Sequence, residues 1–159
     1  MIPRLPPRLR GLLSLVPGDC EAVADVGAGH GALSACLAAS GRRVIATEAK
    51  DGPYAELRRN LALWNVGGCV DVRQGAGLSP IGIGEVDSAV VAGMGARTVL
   101  AIASAARGHR VRRLVLQCMQ HHVLVEPWLA ASGATLEQRV DVVDRRRVYP
   151  TWVVLVAPA

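Results

Sequence analysis

The 159 residues read as an α/β protein: a doubly wound, mostly parallel sheet of seven strands that ends in an antiparallel hairpin. Three observations predict it. Five short apolar runs alternate with segments of helical periodicity, the first two of these runs carry an acid at their ends, Asp25 and Glu48, and the last two apolar stretches are joined by the polar turn Asp144-Arg-Arg-Arg147 instead of a helix.

Taken in order, Leu5, Leu9, Leu12, Leu13 and Val16 recur at three- and four-residue spacings, which predicts an amphipathic helix within residues 1–17, started by Pro6 and Pro7 and stopped before Pro17-Gly18. Val23 to Val26 is the first strand. A helix from Gly31 to Ala39 follows, ended by Ser40-Gly41. Arg43 to Glu48 is the second strand; Pro53 to Asn65 is a helix with proline in its first turn and Leu57, Leu61 and Trp64 on one face. Cys69 to Arg73 and Asp87 to Ala92 are the third and fourth strands, separated by a glycine-rich loop from Gly75 to Gly84. A helix from Arg97 to Ala106, a strand from Arg113 to Gln117 and a helix from His122 to Ala131 complete the alternation. Strands at Thr135–Val143 and Val148–Ala157 form the hairpin.

Composition narrows the class. The length suits one domain, residues 1–159, with 51% hydrophobic residues to fill its core. No apolar run is long enough to span a bilayer, and the N-terminus lacks a secretory pattern, so a cytoplasmic protein with no membrane partner is expected. Cys20, Cys36, Cys69 and Cys118 are too scattered for a zinc set, so no metal is expected, and they read as buried or half-buried thiols. Trp64 and Trp128 read as core. The net charge of +5 comes from 17 arginines and one lysine, which permits a polyanionic partner. Two clusters stand out, Arg107/Arg110/Arg112/Arg113 and Arg145/Arg146/Arg147, and each reads equally as a solvated loop or as a phosphate contact.

In a doubly wound sheet, ligands sit outside the carboxyl ends of the strands. Asp25 to Gly31, Glu48, Gly75 to Leu78, Gly93 to Gly95 and Gln117 all fall there. Gly27-x-Gly29-x-x-Ala32, with Glu48 downstream, satisfies a dinucleotide fingerprint, so an NAD(P)-binding protein is one reading. The other register, Asp25-x-Gly27-x-Gly29-x-Gly31, resembles the first motif of class I S-adenosylmethionine methyltransferases. Asp25 favours the second reading, because a carboxylate suits a cationic amino-acid moiety and would repel a pyrophosphate.

Further motifs carry a closer resemblance. Arg-Leu-x-x-Leu-x-x-Leu-Val (8–16), Ala-Asp-Val-Gly (24–27), Ala-Thr-Glu (46–48), Gly-Pro-Tyr (52–54), Asp-Val-Arg (71–73), Gly-Leu-Ser (77–79), Ala-Gly-Met-Gly (92–95) and Leu-Gln (116–117) resemble the bacterial tRNA adenine-22 ring-nitrogen methyltransferases over nearly the whole chain. The resemblance implies a Rossmann-like class I methyltransferase sheet, S-adenosylmethionine as cofactor, and tRNA as partner, with methyl transfer to adenine nitrogen 1. It implies cofactor contacts from Asp25, Val26, Gly27, Ala28, Gly29, Glu48, Ala49, Gly75, Ala76, Gly77, Leu78, Ala92 and Gly93. Tyr54 and Met94 are implied at the substrate base.

The chain departs from that family's pattern at three places. Gly29 stands where the family has its active-site Asp, Ala76 where an acid meets the cofactor's adenine amine, and Cys118 where a proline follows Leu-Gln. His30 is then the remaining candidate for handling a proton. The family's C-terminal coiled-coil domain has no counterpart, so a truncated form is expected. A methyltransferase of a small molecule or protein, and a non-catalytic cofactor-binding protein, stay open beside the RNA reading, as does the oligomeric state. Tyr54 and Tyr149 are the candidates for stacking on a base. The RNA reading requires the arginine clusters to share an edge with the strand ends.

Overall fold

The computed structural model describes residues 1–158; Ala159, the last residue of the expected domain, lies outside them. The elements are α1 (Pro7–Leu15), β1 (Ala22–Val26), α2 (Ala32–Ala39), β2 (Arg43–Glu48), α3 (Asp51–Leu63), β3 (Val70–Gln74), β4 (Ser88–Met94), α4 (Ala96–Ala105), β5 (Arg113–Cys118), a 3₁₀ turn (His122–Leu124), α5 (Val125–Ser132), β6 (Thr135–Asp144) and β7 (Arg147–Leu155). They build one seven-stranded sheet in the order β3-β2-β1-β4-β5-β7-β6. The first five strands are parallel, and β7 runs antiparallel to both β5 and β6. Strand order therefore reverses between β1 and β4, and the turns leaving those two strands flank the crevice where such sheets bind ligands.

Alternation along each strand separates two cores. Ala24, Val26, Leu114, Leu116 and Trp152 face α4 and α5. Val23, Val44, Ala46, Val115 and Val153 face α1, α2 and α3, where Leu12, Leu37, Leu57 and Leu61 meet them. Both faces of the central strands are covered, so their sequences are near-continuous apolar runs.

Four expectations differ from the structure in instructive ways. Helix α3 begins at Asp51, because the Tyr54 N–H already bonds to the Lys50 carbonyl at 2.9 Å and Pro53 needs no donor in a first turn. Strand β4 continues to Met94, through a register shift at Gly93 (φ +79°) that lets Met94 pair with Cys118. The segment from His122 splits into a 3₁₀ turn and α5, since Pro127 cannot donate to a carbonyl four residues back and fits only in a helix's first turn. Trp64 and Trp128 are half-buried, the latter so that its indole N–H reaches the Ser104 hydroxyl at 2.9 Å, and Cys69 is exposed in the turn before β3.

Helix α1 lies on the β6–β7 hairpin and beside α2. Gly11 permits the close approach: a Cβ there would lie 2.7 Å from Val142 Cγ1. The helix has proline, with no capping side chain, at its N-cap. The Asp144 carboxylate reaches in from the end of β6 to accept the Arg8 N–H at 3.3 Å.

Candidate functional site

The crevice is built on the turn from β1 to α2. Gly27 and Ala28 donate their N–H groups to the Thr47 carbonyl (2.9 and 3.0 Å), which ties the turn to β2. Gly27 has φ +71°, a conformation that L side chains rarely adopt, and a Cβ there would lie in ordinary contact with the Met94 thioether. Gly31, at φ +79°, opens α2, and a Cβ there would sit 2.5 Å from Leu57. The turn thus lies flat, with backbone at the surface of the crevice.

Glu48, at the end of β2, folds onto this turn: Oε2 accepts the Gly29 N–H at 3.2 Å, and Oε1 accepts the N–H groups of Ala49 (3.0 Å) and Lys50 (3.2 Å). The Thr47 hydroxyl donates to the Gly77 carbonyl at 2.9 Å and so fixes the loop after β3 against β2. Between turn and loop opens a cavity of about 880 Å³. Of the predicted positions, Val26, Gly27, Gly29, His30, Glu48, Ala49, Gly75, Ala76, Gly77, Leu78, Gly93 and Met94 line it. Ile102 of α4 supplies an apolar wall behind Gly77.

Asp25, Ala28 and Ala92 line a second, smaller cleft of about 250 Å³, shared with Gly27, Gly29, His30, Gly93 and Met94 and roofed by Arg8, Leu9 and Leu12 of α1. Asp25 is 5% exposed and accepts the Ser34 hydroxyl at 2.5 Å. Burial pushes its carboxyl up to about 6; the Ser34 hydrogen bonds oppose the shift and the nearby Glu48 charge adds to it. Tyr54 lines neither cavity: it lies on α3 beneath the Arg58 guanidinium, 5.9 Å from its ring centroid. Tyr149 is half-buried between Arg8 (5.8 Å) and Arg147 (5.9 Å) and also lines neither.

His30 sits on the rim common to both cavities. Its side chain is 78% exposed, with Nδ1 3.2 Å from a Glu56 oxygen, and its carbonyl accepts from the Asn60 amide at 3.0 Å. Gln117, by contrast, is fully buried at the end of β5. Among the described residues no three His, Cys, Asp or Glu side chains gather as a metal site.

The two arginine clusters lie at opposite ends of the strands, so only the second shares the edge with the strand ends that the RNA reading requires of both. Arg113 opens β5, so the first cluster sits at the amino ends of the strands. There Arg112 pairs with Asp87 (2.9 Å) and Arg113 with Asp19 (3.1 Å) and Glu137 (3.0 Å). The second cluster is the tip of the β6–β7 hairpin. Because Thr151 is opposite Gln117 and β7 runs antiparallel to β5, residues 145–149 project beyond the carboxyl end of β5, on the crevice side. Among the described residues no carboxylate lies within ion-pair distance of Arg145, Arg146 or Arg147.

Sequence reasoning missed Arg8. The signal was present in its place at the head of the Arg-Leu-x-x-Leu run, but nothing local to that helix shows that it roofs a cleft. Lys50, Pro53, Glu56 and Thr98 on the large cavity's wall were missed as well.

Comparisons with known proteins agree with this geometry. A family model described as a methyltransferase domain matches residues 5–151. The tRNA (adenine(22)-N(1))-methyltransferase of Bacillus subtilis is 31% identical over 98% of this chain, which spans 66% of that relative's length. The solved structure of the Bacillus subtilis tRNA methyltransferase TrmK superposes with a TM-score of 0.87 at 28% identity, covering 98% of this chain and 68% of the other. A Streptococcus pneumoniae structure in complex with S-adenosyl-L-methionine gives a TM-score of 0.86 at 26% identity over 96% of this chain and 73% of its own.

Proposed function

Because the chain belongs to the methyltransferase-domain family, we propose that it is an S-adenosylmethionine-dependent methyltransferase acting on ring nitrogen 1 of an adenine in tRNA. The observation that carries the reading is the flat glycine turn between β1 and α2 with the Glu48 carboxylate folded onto it at the 880 Å³ cavity. Similarity to a tRNA adenine methyltransferase along 98% of the chain supports the substrate. A tRNA substrate would place the protein in the cytoplasm, and residues 1–158 would act as one domain.

The residues present suit the cofactor. Gly27 and Gly29 put no side chain between backbone and ligand, Glu48 offers a carboxylate to ribose hydroxyls, and Leu78 and Ile102 offer an apolar surface to an adenine ring. Ala76 cannot bond an adenine amine, so recognition of that edge falls to the loop backbone. S-adenosylmethionine bound there supplies a methyl carbon electrophilic enough for a neutral ring nitrogen to attack.

The protein's task is then chiefly placement. Gly93 and Met94, on the boundary of both cavities, border the path along which the adenine lone pair approaches. Were the methyl group to pass to ring nitrogen 1, the adenine would carry the positive charge that the sulfonium gives up. His30, with Nδ1 3.2 Å from a Glu56 oxygen, would be the base that accepts the proton given up by the acidified exocyclic amine.

The test is incubation with labelled S-adenosylmethionine and tRNA, followed by digestion to nucleosides. Label in 1-methyladenosine is the expected result, and its loss in His30→Ala would support the proton-handling role. Tight cofactor binding without transfer to any nucleoside would instead favour a non-catalytic binding protein, the reading that Gly29 and Ala76 favour.

A further inference from the structure

The segment that leaves β5 is held to the rim of the crevice. Cys118 pairs with Met94, the Met119 N–H donates to the Met94 carbonyl at 2.9 Å, and the Ala96 N–H donates to the Gln120 carbonyl at 3.3 Å. The chain then turns sharply. His121 takes φ +57°, a left-handed conformation uncommon outside glycine, and its carbonyl accepts the Leu124 N–H at 3.1 Å. Val125, next in sequence, is fully buried and anchors the turn, yet His121, Val123 (76%) and Leu124 are all exposed. An imidazole and two apolar side chains thus face solvent beside Met94.

The hairpin tip rises at the same end of the sheet. Thr151 is opposite Gln117, so Val148, nearer the tip, stands about 10 Å beyond Gln117. Val148 pairs across the hairpin with Val143, and both side chains are exposed. Beyond them Arg145, Arg146 and Arg147 have no ion-pair partner among the described residues. The carboxylates of these segments are engaged elsewhere: Asp141 lies 3.6 Å from Arg139, and Asp144 accepts the Arg8 N–H. Glu126 sits in the first turn of α5, where it complements the amino end of the helix.

We infer that the His121–Leu124 turn and the hairpin tip form one contact surface for the substrate RNA, with the arginines on phosphates and the turn supporting an unstacked base that flanks the target adenine. The inference rests on the tRNA reading above and gives that reading a surface. Charge favours RNA over a protein partner, because three consecutive guanidinium groups stand there without a competing acid. The apolar part agrees. A ring with a few aliphatic side chains around it suits the flat face of a base, whereas a stable protein interface needs a larger continuous apolar core. Tyr54 and Tyr149 line neither cavity, which leaves the stacking role open, and the exposed His121 ring is on the segment bonded to Met94.

Fluorescence anisotropy with end-labelled tRNA, in saturating S-adenosylhomocysteine, tests this with variants that spare the backbone. His121→Asn removes the ring but keeps a residue that tolerates φ +57°. It should bind tRNA about fivefold more weakly or worse, with melting temperature and calorimetric S-adenosylhomocysteine affinity unchanged. Val123→Asp should also weaken tRNA, whereas Val123→Lys should tighten it and steepen the dependence of log affinity on log salt by about 1. Unchanged tRNA affinity in all three variants would overturn the proposal. So would a parallel loss of S-adenosylhomocysteine affinity in His121→Asn, since the turn would then only prop Met94. A dimer that Val123→Asp separates in sedimentation, with tRNA affinity intact, would overturn it in favour of a second copy of the chain. An unaltered chain that bound S-adenosylhomocysteine and no tRNA would end the tRNA reading itself, and this surface with it.

Discussion

The two ends of the parallel sheet use the same residue types in opposite ways. At the amino ends, two arginines are matched by acids: Arg112 with Asp87, and Arg113 with Asp19 and Glu137, while a second Asp87 oxygen accepts the Ala22 N–H at 3.1 Å and Arg107 and Arg110 have no ionic partner among the described residues. The Arg113 guanidinium holds the Asp19 carboxyl below its usual range. At the carboxyl ends, Arg8, Asp25 and Arg145 to Arg147 have no ionic partner among the described residues, and the backbone is glycine. A paired charge holds the fold together, whereas unpaired Arg8 and Asp25 line a cleft.

The largest effect that this contrast anticipates is at the glycine turn. Gly27→Val forces a β-branched residue into φ +71° against Met94, and titration should show S-adenosylmethionine affinity falling by about a hundredfold or more. An affinity left intact would mean that the turn is not the binding surface.

Asp25 comes next, with a sign that separates binding from stability. Its carboxyl titrates at about 6 in the fold against 3.8 in a model peptide, so ionising it costs the folded state. The cost is absent below the lower value, grows as pH rises between the two, and is complete above about 6. Asp25→Asn should therefore match the parent near pH 3 and exceed it at pH 8 by up to about 3 kcal/mol in denaturant melts. The same variant should bind S-adenosylmethionine more weakly. A variant less stable than the parent at pH 8 would show that the ionised carboxylate's bond to Ser34 outweighs its burial.

A smaller change is anticipated at the hairpin tip. Replacing Arg145, Arg146 and Arg147 with serine should weaken tRNA binding at low salt and lower the slope of log affinity against log salt by about 2–3, with cofactor affinity unchanged. Smallest of all is Arg112→Gln at the other edge: tRNA binding stays as it was and the melting temperature falls by about 2 °C or less. Equal losses of tRNA affinity in the two variants would erase the distinction between the edges.

The strands were legible in the sequence because a parallel sheet covered on both faces demands short, unbroken apolar runs, and Arg43–Glu48 matches its strand residue for residue. The glycine turn was legible for a related reason: φ of +71°, +54° and +79° at Gly27, Gly29 and Gly31 admits few residue types besides glycine. Arg8 was not. Its partners, Gln117 and Asp144, lie 109 and 136 positions away, and no periodicity within α1 distinguishes it from Arg10. The separation of the arginine clusters was hidden for the same kind of reason, since it depends on β7 being the strand that pairs with β5. Tyr54 falls outside both cavities because a motif fixes a residue's place on a helix and leaves open which way the ring turns; here it lies beneath the Arg58 guanidinium.

The cap on α1 has a kinetic consequence. The helix near the start of the chain is tied down by Asp144, at the end of β6, and by Gln117 on β5, which β7 pairs with directly. Contacts of such long sequence separation close late, after the local βαβ units have formed. A ribosome releasing this chain would thus expose α1 early and see it dock only when the closing hairpin arrives. The last folding event would also set Arg8 over the smaller cleft, so an incompletely folded chain would have its glycine turn and an unroofed cleft.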